Sequence, residues 1–300
     1  MSYVLPPPAG QPSAGQRFRD MLARGGIIRM PGAHNGVAAL QAKAAGFDAL
    51  YLSGGGMSAS MGLPDLGIIG IADVAFFIRQ LVRAADLPVL VDGDTGYGEA
   101  LNVMNMVRSF EEAGAAAVHI EDQLLPKKCG HLNDKRLAEP NDMAAKVAAA
   151  ARARRDLVII ARTDAIASEG FDAAVARARL YLEAGADAIF PEALTTPDMF
   201  RAFTQALPGV PMLANMTEFG RTPMLTASQF EALGYRMVIW PVSALRCANR
   251  AQEKLYAALA REGGQGSMIP EMQTRAELYA LIGLHDYEAL DASIVKTVLP

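Results

Sequence analysis

Histidine and cysteine are scarce in these 300 residues: four of the first and two of the second. Cys129 and Cys247 cannot build a disulfide framework. The histidines and thiols are not clustered, which leaves little for a zinc cage. No apolar run approaches the roughly 18 residues that a spanning helix needs, so no membrane partner is expected. No basic block stands out and the formal net charge is −4, which gives no footing for nucleic acid. The opening MSYVLPPPAG has neither a basic n-region nor an apolar h-region, so no signal peptide is expected and a reducing cytoplasm is. The remaining composition, 51% hydrophobic and 20% charged, is that of a soluble globular enzyme.

What is present is repetition. Four segments align: AAGFDALYL (44–52), EAGAAAVHI (112–120), EAGADAIFP (183–191) and ALGYRMVIW (232–240). In each, a helical stretch stops at glycine and a short apolar strand follows. A second pattern, DLPVLVD (86–92), RDLVIIAR (155–162) and GVPMLAN (209–215), with GGIIRMP (25–31) as a weaker member, supplies the other strands. The eight runs predict strands near 27–30, 49–52, 89–92, 117–120, 158–161, 188–190, 212–214 and 237–240. Amphipathic, Ala-rich stretches such as 101–113, 141–153 and 171–184 lie between them. Strand–helix alternation implies parallel βαβ units. Eight units without a topological break favour a closed (β/α)8 TIM-type barrel over an open parallel sheet. One domain over 1–300 is expected, with a loose arm over 1–15 and a helical extension over 263–300. The helical stretches 243–262 and 271–283 exceed by one what a barrel needs. The extra C-terminal helix is expected to pack on a partner subunit, which makes the protein an oligomer.

In a barrel of this kind chemistry sits at the C-terminal ends of the strands. The residues there are Ser53, Gly54, Gly55 and Gly56, then Asp92, Gly93 and Asp94, then Glu121 and Asp122, then Arg162, Thr163 and Asp164, followed by Glu192, Asn215 and Arg246. Asp92 and Asp94 share a face if the chain is still extended, and Glu121 comes from the next strand. Three carboxylates converging on one small region repel one another unless a cation joins them. Hard oxygen donors point to Mg2+ or Mn2+. The segment PKKCGH (126–131) places Cys129 among Lys127, Lys128 and His131, surroundings that lower a thiol pKa. Gly130 beside it lets backbone approach a ligand closely. His119 lies inside a strand and reads as structural or as support for a neighbour. Arg162, Arg246 and Arg275 could hold carboxylates in bidentate pairs.

Taken together, YLSGGG, LVDGDTGYG, VHIEDQ, PKKCGH, ARTDA, FPEA, ANMTEFG and MQTR resemble the isocitrate lyase / phosphoenolpyruvate mutase superfamily from about residue 20 to 290. Within it they are most similar to the branch that splits 2-methylisocitrate into pyruvate and succinate in the methylcitrate cycle of propionate breakdown. Related lyases acting on 2,3-dimethylmalate, isocitrate or oxaloacetate are the alternative. The resemblance implies a Mg2+-dependent lyase, with Asp92 on the metal and Asp94 and Glu121 near it. It implies that Ser53, Gly54 and Gly55 hold the pyruvate end and that Gly130 binds substrate. Cys129 would be the general acid, in a loop over 122–133 that closes the site, with Lys127 and His131 beside it. Arg162 and Glu192 would contact substrate near the metal. Asn215, Thr217, Arg246 and Arg275 would bind the succinate carboxylates. Tyr51 is the candidate base, with a metal-bound hydroxide or Glu121 as alternatives. Trp240, where tyrosine is common in the family, would shape the pocket around the substrate methyl group. The partners implied are a small di- or tricarboxylate and three further copies of the chain, in a cytoplasmic homotetramer.

Overall fold

The computed structural model describes residues 4–6, 8–127 and 135–294. Each apolar run forms a strand within two residues of its expected place: β1 (Ile28–Pro31), β2 (Leu50–Leu52), β3 (Val89–Asp92), β4 (Ala117–Glu121), β5 (Val158–Thr163), β6 (Ala188–Pro191), β7 (Leu213–Asn215) and β8 (Met237–Trp240). The helices that precede and alternate with them are α1 (Ala14–Arg24), α2 (Gly36–Ala44), α3 (Gly54–Ser60), α4 (Ile71–Ala85), α5 (Ala100–Glu112), α6 (Pro140–Ala153), α7 (Phe171–Glu183), α8 (Pro197–Ala206) and α9 (Ala227–Ala232). The repeated glycine does what the pattern predicts. Gly114 (φ 101°) and Gly185 (φ 109°) follow α5 and α7 in the left-handed region that ends a helix.

All strand pairs are parallel. Five strands run in the order β2-β3-β4-β5-β6 and three in the order β1-β8-β7. Single parallel bridges, Gly32 to Tyr51 and Ile189 to Met212, join the two sets at both seams. The result is the closed (β/α)8 barrel.

Side chains alternate along every strand, and the two faces belong to different apolar clusters. Leu50 and Leu52, Val89 and Val91, Val118 and Ile120, and Ile159 and Ala161 face the helices. Tyr51, Leu90, Ala117, Val158 and Ile160, Ala188 and Phe190, Leu213, and Met237 and Ile239 fill the barrel interior. Phe18 of α1 is fully buried in this interior cluster. Gly15 lets α1 come this close, since a Cβ there would lie 2.2 Å from the Asp156 carbonyl oxygen.

The turn before β5 is held by Glu111 of α5. Its carboxylate accepts from the backbone N–H groups of Arg155, Asp156 and Leu157 at 2.7–3.1 Å. Asp187, just before β6, accepts from Arg19, Arg154 and the Ile159 N–H. Both clusters sit at the N-terminal ends of the strands.

The chain falls into two compact units: residues 12–245, which hold all the described strands, and residues 1–11 with 246–300. The second contains most of α10 (Ser243–Glu262), then α11 (Arg275–Ile282) and α12 (Leu284–Ser293). Thr274 caps α11 reciprocally with Glu277. Neither α11 nor α12 has a buried residue. No helix among the described residues is long and apolar enough to cross a membrane.

Candidate active site

The inward-facing positions of the strands continue past the apolar interior into charged groups. Two residues beyond Leu90 comes Asp92, two and four beyond Ala117 come His119 and Glu121, and four beyond Val158 comes Arg162. Glu192 follows Phe190, and Asn215 follows Leu213 at the same spacing. The strand register sets which of these meet. Asp92 pairs with His119, and Glu121 with Arg162.

Asp92 anchors one side. Its Oδ2 accepts from the Gly54 N–H at 3.0 Å and its Oδ1 from the Asp94 N–H at 3.1 Å. Ser53 caps α3 by accepting from the Gly56 N–H. This holds Gly54 and Gly55 at the barrel mouth, where a Cβ on Gly55 would lie 3.3 Å from Asp65 Oδ2. The Lys127 Nζ stands 2.5 Å from Asp94 Oδ1 and 2.5 Å from Asp65 Oδ1, with its side chain 3% exposed. Burial alone would lower this lysine, but Asp92, Asp94, Glu121 and Asp65 outweigh it and hold the ammonium form well above its usual range. Burial and then the charge of Asp92 push Asp94 up to about 6, against the pull of Lys127. Burial would also raise Asp92, but the charges of Lys127 and Arg162 and the Gly54 N–H bring it below the usual carboxylate range.

Tyr51 and His119 lie beneath. The Tyr51 hydroxyl is 2.8 Å from His119 Nε2 and 3.4 Å from Asp92 Oδ2. One tautomer satisfies both contacts: His119 Nε2–H donates to Tyr51, and Tyr51 O–H donates to Asp92. His119 is fully buried, with the Phe190 ring edge-on at 5.4 Å. Burial lowers its pKa to about 4, so it is a neutral donor at physiological pH. Burial first and Asp92 second push the Tyr51 phenol well above its ordinary value.

On the other side Arg162 is set among carboxylates. Its Nη1 is 3.1 Å from Glu121 Oε2 and its Nε 3.8 Å from Glu192 Oε2. Nε and Nη2 donate to Asp164 at 2.9 and 3.1 Å. The guanidinium lies over Phe190 at 5.2 Å. Asn215 Nδ2 donates to both oxygens of Glu192 at 3.2–3.3 Å. Burial pushes Glu121 well above the usual carboxylate range despite Arg162 and Lys127.

A divalent cation fits this donor set. Glu121 Oε1 is buried with no hydrogen-bond partner among the described residues, and Gly54 leaves the space before Asp92 and Asp94 free of a side chain. Among the described residues no three His, Cys, Asp or Glu side chains form a complete ligand cage. Mg2+ does not require one, since it keeps several waters and takes one or two carboxylates.

The barrel thus brings together Tyr51, Ser53, Gly54, Gly55, Asp92, Asp94, Glu121, Lys127, Arg162, Glu192 and Asn215. Thr217 is half-buried two residues beyond Asn215. Cys129, Gly130 and His131 lie outside the described residues. Arg246 lies in α10 and Arg275 opens α11, both in the C-terminal unit. Trp240 is a correction. It follows Ile239 by one residue and so takes the opposite face of β8. There it joins the outer cluster, edge-on to Phe47 at 6.4 Å, instead of lining the barrel interior. Sequence reasoning missed Asp65 and gave Asp164, although read at the end of the fifth strand, no role. Asp65 lies in an irregular loop and gives no periodic signal. Asp164 shares the inward parity of Arg162, and that parity was its signal.

A sequence profile described as phosphoenolpyruvate phosphomutase matches residues 18–260. A 2-methylisocitrate lyase of Bacillus subtilis (strain 168) is 52% identical over 300 residues, covering 100% of this chain and 99% of its own. Among solved structures, 2,3-dimethylmalate lyase, a PEP mutase/isocitrate lyase superfamily member, superposes with a TM-score of 0.89 at 36% identity, over 94% of this chain and 95% of its own. Phosphonopyruvate hydrolase in complex with oxalate and Mg2+ superposes with a TM-score of 0.86 at 34% identity, over 95% of this chain and 100% of its own.

Proposed function

This chain belongs to the phosphoenolpyruvate phosphomutase family, and from that premise we propose that it is a carbon–carbon lyase splitting 2-methylisocitrate into pyruvate and succinate. The observation that carries this reading is the 52% identity, end to end, to a 2-methylisocitrate lyase. The solved 2,3-dimethylmalate lyase is more distant in sequence, at 36%.

The reaction removes a proton from the substrate hydroxyl and breaks the adjacent carbon–carbon bond. The electron pair passes to the carbon that becomes part of succinate, and a proton is returned there. Tyr51 is the group placed to exchange the hydroxyl proton: its oxygen accepts from His119, which offsets part of the burial and of the Asp92 charge that oppose the phenolate. Arg162 and Lys127 are fixed cations at the barrel mouth, and they offset charge on the carboxylates of substrate and products. Glu192, held by Asn215, orients the ligand beside Arg162. Cys129 returns the last proton, a role resting on its place between the basic residues of PKKCGH. Asp92, supported by Asp94 and Glu121, would hold Mg2+, with Mn2+ as a substitute, and the bound ion would polarise the substrate oxygens. Gly130 and His131 flank the acid, Ser53, Gly54 and Gly55 hold the pyruvate end, and Thr217, Arg246 and Arg275 complete the succinate end.

The whole chain acts as one lyase domain in a cytoplasmic homotetramer. The C-terminal helices support this assembly, because α11 and α12 have no buried residue and leave Tyr279, Ile282 and Tyr287 exposed. The test is pyruvate release with Mg2+ from 2-methylisocitrate, isocitrate, 2,3-dimethylmalate and oxaloacetate, assayed side by side with glyoxylate detection added for isocitrate. The expected result is pyruvate mainly from 2-methylisocitrate. A clear preference for another substrate would refute the assignment.

A further inference from the structure

We propose that Asp164 is a positioning residue: through Lys135 it ties the stem of the 122–138 loop to the guanidinium of Arg162. It thereby fixes the orientation in which Arg162 meets a carboxylate ligand.

The stem is well defined. The Leu124 N–H donates to the Arg136 carbonyl at 2.7 Å and the Ala138 N–H to the Asp122 carbonyl at 2.8 Å. Gln123 and Leu137 form an antiparallel bridge between them. Lys135 leaves this stem and its Nζ reaches Asp164 Oδ1 at 2.6 Å, with the lysine side chain 3% exposed. Arg162 Nη2 donates to the same oxygen, while Nε takes Oδ2. One carboxylate is therefore gripped by two cations, one from the loop stem and one from the site.

Asp164 is itself pinned to the stem. Its N–H donates to Asp122 Oδ1 at 2.9 Å. Asp122 Oδ2 accepts from the Thr163 hydroxyl at 2.8 Å and from the Tyr181 hydroxyl at 2.9 Å. Any shift of the stem is passed to Asp164 through its backbone, through Asp122 and through Lys135. Asp164 in turn occupies the Nε–Nη2 edge of Arg162. That leaves the Nη1 side, already directed at Glu121, as the edge aimed into the barrel.

Stability alone does not call for this arrangement. Burying a second cation next to Arg162 costs desolvation and like-charge repulsion. Arg162 already has Glu121 as a partner on its own register. What the extra cation adds is a mechanical link between an element at the mouth and the orientation of one guanidinium.

The inference rests on the reading that Arg162 meets substrate carboxylates. It is tested on the full-length protein with Lys135→Met, Arg162→Lys and the double variant. Two readouts are taken with saturating Mg2+: KM and kcat for 2-methylisocitrate, and calorimetric titration with oxalate, a planar dicarboxylate. Lys135→Met is expected to raise KM and weaken oxalate about 10-fold, with a thermal midpoint close to the wild-type value. Lys135→Arg is expected to restore most of the loss. In the Arg162→Lys background Lys135→Met is expected to add less than about twofold, because both act through one group. Should Lys135→Met not fold, Lys135→Gln carries the same cycle. Fully multiplicative effects, or a lowered midpoint with unchanged KM and oxalate affinity, overturn the proposal. So does a wild-type protein that binds no oxalate. If the wild type binds oxalate but releases no pyruvate from 2-methylisocitrate, the assigned reaction fails, and the oxalate cycle still decides whether Lys135 acts through Arg162, the two cations that Asp164 joins.

Discussion

A methyl group on residue 54 would lie 2.9 Å from Asp92 Oδ2 and 3.3 Å from Asp94 Oδ1. Gly54 is the first residue of α3, where alanine suits the backbone. Gly54→Ala should therefore fold normally yet displace Asp92. Mg2+ activation should weaken by about 10-fold or more, read from rate against Mg2+ concentration at an unchanged thermal midpoint. Unaltered activation would show that Asp92 does not hold the metal. Asp164 offers a second test at this scale. Burial opposes its ionisation, but Arg162 and Lys135 outweigh it and keep the carboxyl below its usual range. A depressed native pKa contributes stability above the unfolded value of about 3.9, and that contribution is lost as pH falls through the native value. Asp164→Asn should then cost about 3 kcal/mol at pH 7, where it leaves two buried cations short of a partner. The difference, measured by urea unfolding, should narrow below about pH 4. A gap that stayed constant into strong acid would mean the charge is not its source. The chemistry of Asp92, Glu121, Arg162 and Glu192 was legible because each ends an otherwise apolar run. Asp65 and Lys135 were not, since they enter the site from irregular chain. Trp240 was misread by neglecting alternation: Met237 and Ile239 point inward, so residue 240 does not.

Strand positions were legible to within two residues because uninterrupted apolar runs bounded by glycine and charge have few other uses. Helix α1 was not foreseen, although its N-cap Ser13 and the apolar spacing of Phe18, Met21 and Leu22 announce it. The Pro/Gly-rich stretch before it hid that signal. The helix closes the N-terminal end of the barrel interior with the fully buried Phe18. Phe18→Ala should cost about 3–5 kcal/mol by leaving a cavity. It should leave KM unchanged, because the reacting groups stand at the opposite ends of the strands. A raised KM with intact stability would contradict this separation. Glu111 and Asp187 serve the same pole, where Glu111 satisfies the backbone N–H groups of the turn before β5 and Asp187 that of Ile159 in β5.

Across the whole molecule the two ends of the barrel carry opposite electrostatic arrangements. At the N-terminal end, charges are paired to finish turns. At the C-terminal end, carboxylates are crowded beyond what Lys127 and Arg162 neutralise, with Glu121 Oε1 left without a partner among the described residues. A cation that binds there should stabilise the fold by mass action. Mg2+ at about a hundredfold excess over its Kd should raise the unfolding midpoint by roughly 5 °C. Asp92→Asn should abolish that rise, as scanning calorimetry with and without chelator would show. The proposed assembly is the part least legible in the chain, because an exposed helical surface fixes neither what covers it nor how many copies would. The alternation of faces along the strands has one more consequence, for how such a chain can change. Loops at the mouth can lengthen, shorten or be exchanged, and new substrates can be tried. The strands have no such freedom. A deletion of Val91 would turn the carboxylate of Asp92 out among the helices and leave Gly93, which has no side chain, in its place at the mouth. Variation by insertion and deletion is therefore confined to the rim, while the strand ends can be altered only by replacing one side chain with another.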